Sequence, residues 1–210
     1  MERAFRYSTN FFIGKRINMK KHLEILEPIF KVDYSTGEIR GKDVINPIKK
    51  LKDIPTIFED SDAYSKLDGE EIIYEVQAIL PVKEGLEGGL FYGKTIIRPG
   101  KVGDEYFMTK GHFHQKIDRA EFYWGIEGEG MLLLMDEDRN CWAEKMHPGS
   151  LHYIDGYIAH RTVNTGGTNL SFGACWPSDA GHNYQEIMDN GFSARLKEID
   201  GRPQLVSSNK

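Results

Sequence analysis

The chain has 210 residues, of which 40% are hydrophobic and 28% are charged, so it can form one compact domain with a substantial core. Its formal net charge of −5, without a basic stretch interleaved with aromatic residues, argues against binding to nucleic acid. No stretch approaches the roughly 20 apolar residues of a membrane span, and no signal peptide is evident. With only Cys141 and Cys175, a reducing cytoplasmic location is expected.

The first third of the sequence predicts accessory elements. Residues 1–30 form an N-terminal extension, in which positions 19–29 suit a short amphipathic helix. Residues 32–39 contain two short apolar runs around a Ser-Thr-Gly turn, which predicts a hairpin. From Lys49 to Leu67 the pattern is polar and helical, with start or stop signals at Asp60, Ser61 and Asp62.

After Gly69 the sequence consists of short β-like runs separated by Gly, Pro, Asp or Asn. Runs at roughly 8–12-residue spacing predict an all-β, antiparallel sandwich or barrel of the jelly-roll kind. We expect a single domain over 31–200, with a helix-like segment at 179–192, and a loose tail over 201–210. The predicted strands are 72–80, 89–97, 105–108, 120–126, 131–135, 142–146, 151–154, 160–164 and 169–176.

Six of the seven histidines lie between positions 112 and 182. Because side chains alternate along a strand, His112 and His114 point to the same face. Glu121 opens the next run, where alternation places Glu121 and Tyr123 toward a cavity, and His160 heads a third run. Three imidazoles and one carboxylate suit Fe²⁺, Mn²⁺, Co²⁺, Ni²⁺ or Zn²⁺.

These patterns also allow other interpretations. An isolated H-x-H on a strand is more often a surface or hydrogen-bonded pair, but here the glutamate and the third histidine favour a metal site. His147 and His152 compete as ligands, although neither has a matching context. The alternation after Glu121 also predicts that Phe122, Trp124 and Ile126 pack between the sheets on the opposite face.

The residues then resemble a known class. Gly111-His-Phe-His with Glu121 and Gly128 is similar to the first motif of the cupins, with a longer gap before the glutamate. Gly149, His160 and Asn164 resemble the second motif. The resemblance implies a cupin double-stranded β-helix with short N-terminal and C-terminal helical extensions.

A narrower resemblance covers about residues 31–195. The segments 99–103, 109–114, 118–123, 159–164 and 179–184 are similar, in order, to the archaeal-type, cupin-fold glucose-6-phosphate isomerases. Membership implies metal-dependent interconversion of glucose 6-phosphate and fructose 6-phosphate in glycolysis and gluconeogenesis. It also implies a homodimer, which would cover exposed sheet edges, and one divalent ion per subunit, Fe²⁺ or Mn²⁺ before Zn²⁺, Ni²⁺ or Co²⁺.

The resemblance also suggests site roles. Glu121 is expected to be a catalytic base as well as a ligand, although binding to a cation lowers its basicity. A hydride shift between the two carbons is the alternative. His182 could assist ring opening or proton transfer, and Tyr123 and Tyr184 would contact the sugar.

The phosphate group requires hydrogen-bond donors. Thr109, Lys110 and Gly111 directly precede the histidine pair and can supply them. Tyr74 and Thr95 match family positions at the same end of the site. Arg98 and Trp176 stand where the family commonly has Tyr, which bears on fine specificity.

Two rival functions share the same ligands. A cupin dioxygenase would use the open metal positions for substrate and O₂, in a more apolar pocket. A non-catalytic cupin that only binds sugar or metal would not need Glu121. Arg119 is expected to pair with Asp118 or a nearby carboxylate.

Overall fold

The structure is a computed structural model that describes residues 25–208. Within that range there are fifteen strands, one 3₁₀ turn (η1, Leu51–Asp53) and two short helices, α1 (Ser61–Ser65) and α2 (Tyr184–Asn190). The strands are β1 (Phe30–Val32), β2 (Ile39–Gly41), β3 (Ile48–Lys50), β4 (Ile72–Ile79), β5 (Leu90–Ile97), β6 (Lys101–Val102), β7 (Glu105–Tyr106), β8 (Glu121–Glu127), β9 (Gly130–Met135), β10 (Cys141–Met146), β11 (Leu151–Ile154), β12 (Ala159–Asn164), β13 (Leu170–Pro177), β14 (Ala194–Ile199) and β15 (Arg202–Ser207).

Two antiparallel sheets form the body of the fold. The larger has the strand order β11-β8-β13-β5-β4-β3, and the smaller has the order β10-β9-β12. One apolar cluster contains residues of both sheets, including Ile73, Ile97 and Phe172 from the larger and Leu132 and Leu134 from the smaller. The sheets therefore pack face to face around a common core, which confirms the predicted cupin jelly roll.

The central strand of the smaller sheet, β9, is buried on both faces. Leu132 and Leu134 belong to the central core, whereas Leu133 and Met135 of the same strand pack with Ile187 of α2 in a second cluster. A strand covered on two sides needs apolar residues at every position, which explains the unbroken run in β9. Strands β6, β7, β14 and β15 form a further sheet in the order β15-β14-β7-β6.

Several boundary predictions are confirmed. The hairpin of β1 and β2 turns at Ser35 to Gly37, where the Ser35 N–H donates to the Asp33 carboxylate at 2.9 Å. Helix α2 lies in the segment expected to be helix-like. The helix predicted for positions 19–29 falls largely outside the described residues, and residues 25–29 contain no helical turn.

The prediction of one helical segment from Lys49 to Leu67 is wrong. Ile48–Lys50 instead pairs with the edge of β4, and helix α1 is confined to Ser61–Ser65. Tertiary burial overrides the local pattern, because Ile54, Ile57 and Phe58 enter the core between the two pieces. The start signal at Asp60 is correct, since its carboxylate accepts the Ala63 N–H at 2.8 Å.

The end of the chain also differs from its prediction. Arg202–Ser207 was expected to be loose, but it forms β15 and pairs with β14 along six residues, from Ala194↔Ser207 to Ile199↔Arg202. A turn at Asp200 and Gly201 joins the two strands, and both residues have positive φ. No helix among residues 25–208 has the length and apolar character that crossing a membrane would require.

Candidate metal centre

The fold brings four potential metal ligands to one point. His112 and His114 lie on the extended segment after β7, Glu121 is the first residue of β8, and His160 is the second residue of β12. Each of these side chains offers one donor atom, and the four atoms lie within 4.8 Å of one another. The residues that the sequence singled out as ligands thus share a centre.

Pairing with β12 places the histidine segment. The His112 N–H donates to the His160 carbonyl at 3.2 Å, and the His160 N–H donates to the His112 carbonyl at 3.0 Å. The two rings therefore lie side by side, with centroids 4.4 Å apart. Phe113 points the other way into the second apolar cluster, so His112 and His114 share a face as strand alternation predicts.

Backbone carbonyls orient two of the rings. His114 Nδ1 lies 2.7 Å from the Arg119 carbonyl, and His160 Nδ1 lies 3.4 Å from the Ile158 carbonyl. We assign the ring proton to Nδ1 in both, because a carbonyl can only accept. Nε2 of each ring is then a lone-pair donor directed at the centre, an arrangement typical of metal-binding histidines.

The donor set fits a divalent cation. Glu121 Oε1 lies 2.6 Å from His160 Nε2 and 3.3 Å from His114 Nε2. Both Glu121 Oε1 and His160 Nε2 are buried without a hydrogen bond in the described residues. Lone-pair atoms held this close need a positive centre between them, and three imidazoles with one carboxylate suit a first-row transition ion.

The protonation of the cluster is consistent with this. Burial by itself would raise the pKa of Glu121. The imidazoles of His160 and His114 outweigh burial and lower this pKa to about 2. Burial and the neighbouring histidines hold the pKa of His112 well below its ordinary value. Glu121 is therefore anionic and His112 neutral near neutral pH, which are the forms that bind metal.

A cavity of about 330 Å³ opens over the centre. His112, Glu121 and His160 reach its wall, whereas His114 lies behind them. Every residue predicted to contact substrate or assist catalysis also lines it, namely Tyr74, Thr95, Thr109, Lys110, Gly111, Tyr123, His182 and Tyr184.

Donor groups lie at one side of the cavity. The Thr109 hydroxyl oxygen accepts the Thr162 N–H at 3.0 Å, which leaves its own hydrogen free to donate. Lys110 Nζ lies 4.5 Å from the centre of the Tyr184 ring, and partial burial lowers the pKa of Lys110. Gly111 adopts φ +75°, a conformation that lets the backbone approach the cavity closely.

His182 and Tyr184 lie at the cavity mouth. Their rings are parallel at 5.3 Å, and His182 is 4.4 Å from His112. Neighbouring side chains shield the imidazole from part of the solvent and lower the pKa of His182, so the ring is neutral near neutral pH. Asp179 anchors this segment by accepting from Arg119 Nη2 at 2.9 Å and Lys116 Nζ at 2.7 Å.

Within residues 25–208, the two remaining histidines and Arg98 have contacts of their own. His152 lies 2.6 Å from the Glu144 carboxylate and 2.9 Å from the Ser150 hydroxyl, so both of its ring nitrogens have other partners and it is not one of the candidate ligands. His147 lies beside its own Pro148 carbonyl. Arg98, which the sequence linked to the phosphate end, instead pairs with Glu75.

Sequence reasoning missed the apolar side of the cavity. Trp176 lines the wall and packs edge-on against Phe91 with centroids 5.9 Å apart. Phe91 and Thr95 lie on the same face of β5 because they are four residues apart, so strand alternation contained this signal. Ile45 and Val76 extend the same apolar wall.

A double-stranded β-helix that closes around three imidazoles and one carboxylate defines a cupin with a candidate metal centre. The chain matches the family model described as Glucose-6-phosphate isomerase (GPI) over residues 48–209. The chain therefore belongs to the glucose-6-phosphate isomerase family.

Relatives agree over nearly their full length. The glucose-6-phosphate isomerase of Thermococcus kodakarensis is 43% identical over 188 residues, which cover 89% of this chain and 97% of that protein. That of Thermococcus onnurineus is 42% identical over 190 residues, which cover 90% and 98%. Among solved structures, an oxalate oxidase overlaps 55% of this chain and 56% of its own, with 12% identity and a TM-score of 0.45.

Proposed function

We propose that the chain interconverts glucose 6-phosphate and fructose 6-phosphate with a divalent cation held by His112, His114, Glu121 and His160. The observation that carries this proposal is the convergence of the four donor atoms, within 4.8 Å of one another, beneath a cavity lined by hydroxyl and amine donors. A family match over residues 48–209 supplies the substrate class.

Binding of the phosphate is assigned to one side of the cavity. Thr109 has a free hydroxyl hydrogen, Gly111 contributes a backbone N–H, and Lys110 contributes charge. Tyr74 and Thr95 line the same cavity from strands β4 and β5. The sugar oxygens then extend toward the four ligands, with Tyr123 and Tyr184 beside them.

The chemistry moves one hydrogen between neighbouring carbons. The C2–H bond of the open aldose breaks, a C1–H bond forms, and the O2 proton passes to O1. A divalent cation at this centre supplies Lewis-acid stabilisation of negative charge on the sugar oxygens. Glu121 is proposed to take and return the carbon-bound proton, and His182 to exchange protons with sugar hydroxyls during ring opening; both side chains line the cavity, which supports these roles.

The route of the hydrogen has its own test. Proton transfer through Glu121 exposes the hydrogen to exchange, so product formed in deuterium oxide should carry deuterium on carbon. A hydride shift transfers the hydrogen directly and leaves the product unlabelled. Deuterium on carbon would support Glu121 as the base, and unlabelled product would support the hydride shift.

The remaining assignments are proposals of the same kind. Fe²⁺ or Mn²⁺ is the expected native ion, since the ligand set of nitrogen and oxygen donors suits both. Reduced Cys141 and Cys175 are compatible with a cytoplasmic enzyme of glycolysis and gluconeogenesis. Metal analysis of protein purified without added metal would test the first, and cell fractionation the second.

The activity is tested by a coupled assay with glucose 6-phosphate and mannose 6-phosphate side by side. Formation of fructose 6-phosphate from glucose 6-phosphate supports the proposal, and the mannose arm measures specificity at C2. No turnover of either sugar by metal-loaded protein would contradict it. Oxygen uptake with a chelating substrate would instead identify a dioxygenase.

A further inference from the structure

A buried guanidinium lies directly beneath Lys110 and Gly111, two of the residues proposed to bind the phosphate. Arg161 follows the ligand His160 on β12, and only 4% of it is exposed. Its Nη2 donates to the Lys110 carbonyl at 2.6 Å, and its Nη1 lies 3.2 Å from the Met108 sulfur. The guanidinium also stacks 4.5 Å over the Phe192 ring.

Arg161 has no carboxylate partner among residues 25–208, and its Nε is buried without a hydrogen bond. The other buried arginine of the same range, Arg195, pairs with Glu105 at 2.7 Å. A guanidinium keeps its positive charge near neutral pH. Glu105 attracts Arg161 from beyond ion-pair distance but already pairs with Arg195, so two buried arginines share one carboxylate. The remaining buried positive charge is costly, which points to an anion that is bound nearby.

The loop lies directly on this side chain. A Cβ at Gly111 would come within 3.0 Å of the Arg161 side chain and within 2.9 Å of Phe192. Gly111 has φ +75°, so this close packing and this backbone shape both require glycine.

The hydrogen bond to Lys110 fixes a peptide plane. In a trans peptide the carbonyl of one residue and the N–H of the next point in opposite directions. With the Lys110 carbonyl directed at Arg161, the Gly111 N–H is directed away from it, on the side where Gly111 lines the cavity. No acceptor for that N–H is found among the described residues.

We propose that Arg161 is a positioning residue for the phosphate group of the substrate, which rests on the proposed function of the cavity. It holds the Lys110–Gly111 peptide so that the Gly111 N–H donates to the phosphate. Its buried positive charge, unpaired in the described chain, is balanced by the phosphate dianion when substrate binds.

Two substitutions of Arg161 distinguish the effect of its charge from the effect of its hydrogen bond to the Lys110 carbonyl. Arg161→Gln removes the charge but retains a donor for the Lys110 carbonyl, whereas Arg161→Lys retains the charge. Arg139→Gln is the matched control, because Arg139 also donates to backbone carbonyls, those of Asn190 and Gly191, but neither of these residues lines the cavity, whereas Lys110 does. Binding of inorganic phosphate, glucose 6-phosphate and Mn²⁺ is measured by calorimetry for each protein.

Arg161→Gln should weaken the binding of phosphate and glucose 6-phosphate by about tenfold or more, because the bound dianion loses the attraction of a nearby buried positive charge and only a neutral donor is left for the Lys110 carbonyl. Its affinity for Mn²⁺ and its kcat should change much less. The kinetic effect should therefore be a rise in KM. Arg161→Lys should recover most of the phosphate affinity, and Arg139→Gln should match the wild type. Wild-type phosphate affinity in Arg161→Gln would overturn the proposal.

A measurement on the wild type covers the case in which Arg161→Gln fails to fold. The ¹⁵N resonance of the Arg161 Nε–H, assigned by its loss in Arg161→Lys, should shift when inorganic phosphate is added. Phosphate binding without such a shift would overturn the proposal. If phosphate binds in this manner but no sugar phosphate is isomerised, the proposed function fails while the role of Arg161 stands.

Discussion

Glu121 combines two demands that oppose each other at a single carboxylate. Its Oε1 lies 2.6 Å from His160 Nε2, and the surrounding imidazoles outweigh burial to lower its pKa to about 2. A strongly anionic carboxylate binds a cation well but accepts a proton poorly. The site therefore gains metal affinity at the expense of basicity, and catalysis depends on positioning close to the sugar carbon.

Replacement of Glu121 tests this dual role. Glu121→Gln should reduce kcat by about 10²-fold or more, because the amide cannot act as a base and is a weaker ligand. The affinity for glucose 6-phosphate should fall far less, since the phosphate contacts are untouched. Steady-state kinetics and calorimetry measure the two effects separately.

Glu127→Gln is the matched control for this substitution. Glu127 ends the same strand β8 and is exposed, so the same chemical change there should leave kcat unaltered. Equal kcat values for Glu121→Gln and the wild type would exclude any role of Glu121 in turnover.

At the scale of elements, the loop between Met108 and His112 depends on one glycine. Gly111→Ala forces a side chain into φ +75° and against Phe192 at 2.9 Å, so the loop must move. We expect KM for glucose 6-phosphate to rise by about tenfold or more, because the phosphate donors lose their positions. Steady-state kinetics would show this rise.

Gly149→Ala controls for backbone strain in that experiment. Gly149 has φ +84°, but a Cβ there meets nothing within 4 Å. It should lose some thermal stability and keep its KM. An unchanged KM in Gly111→Ala would show that the loop does not hold the phosphate.

The segment that carries His182 is anchored electrostatically. Arg119 first, and then Lys116, hold the pKa of Asp179 well below its usual range. The resulting stabilisation is complete above the carboxyl's unfolded pKa of about 4, and it disappears as the pH falls through the lower folded value. Asp179→Asn should therefore lower the melting temperature by several degrees near neutral pH, and the difference should shrink below about pH 4.

Thermal melts in the presence of a chelator measure this effect without a contribution from metal loss. Asp118→Asn is the matched control, because Asp118 also contacts Arg119, at 3.1 Å, but is 57% exposed. It should change the melting temperature little. A melting difference for Asp179→Asn that stays constant with pH would show that the ion pair is not its cause.

Strand positions in this protein could be predicted where alternation or a fully apolar run was strong, as in β5, β9 and β13. The prediction was wrong for the faces of β8. Phe122 is 45% exposed, and Trp124 packs against Tyr92 on the outer surface, because core and cavity share the inner face with Glu121 and Tyr123.

The candidate site was more predictable than its surroundings. Spacing and strand alternation identified His112, His114, Glu121 and His160, because ligand chemistry demands particular residue types. The role of Arg161 could not be read from the sequence, since its partners Lys110 and Phe192 meet only through tertiary packing. Strand β15 could not be predicted, because its alternation of apolar and polar residues is weak and its Leu205 is 41% exposed.

At the scale of the whole molecule, the outer face of the larger sheet exposes a group of apolar side chains. Phe122 and Tyr153 pack with ring centroids 5.2 Å apart, and Tyr153 and Leu151 are 56% and 68% exposed. Strand β11 lies at the edge of that sheet. We propose that the chain forms a homodimer through this face, since an exposed apolar group lies beside an edge strand of the described sheet.

Phe122→Lys should shift the protein from dimer to monomer, because a charge cannot be buried there without a partner. Trp142→Lys is the control, since Trp142 is 39% exposed but belongs to β10 of the smaller sheet. Light scattering coupled to size-exclusion chromatography would report the mass of each. A dimer that tolerates Phe122→Lys would place the interface elsewhere.

The central claim is that the four converging side chains hold a divalent cation without which the sugar is not isomerised. The most direct measurement is the rate of fructose 6-phosphate formation from glucose 6-phosphate before chelation, after complete metal removal, and after stoichiometric Fe²⁺ or Mn²⁺ is returned. We predict that activity disappears with the metal and returns with it. Full activity in protein shown to contain no metal would contradict the account.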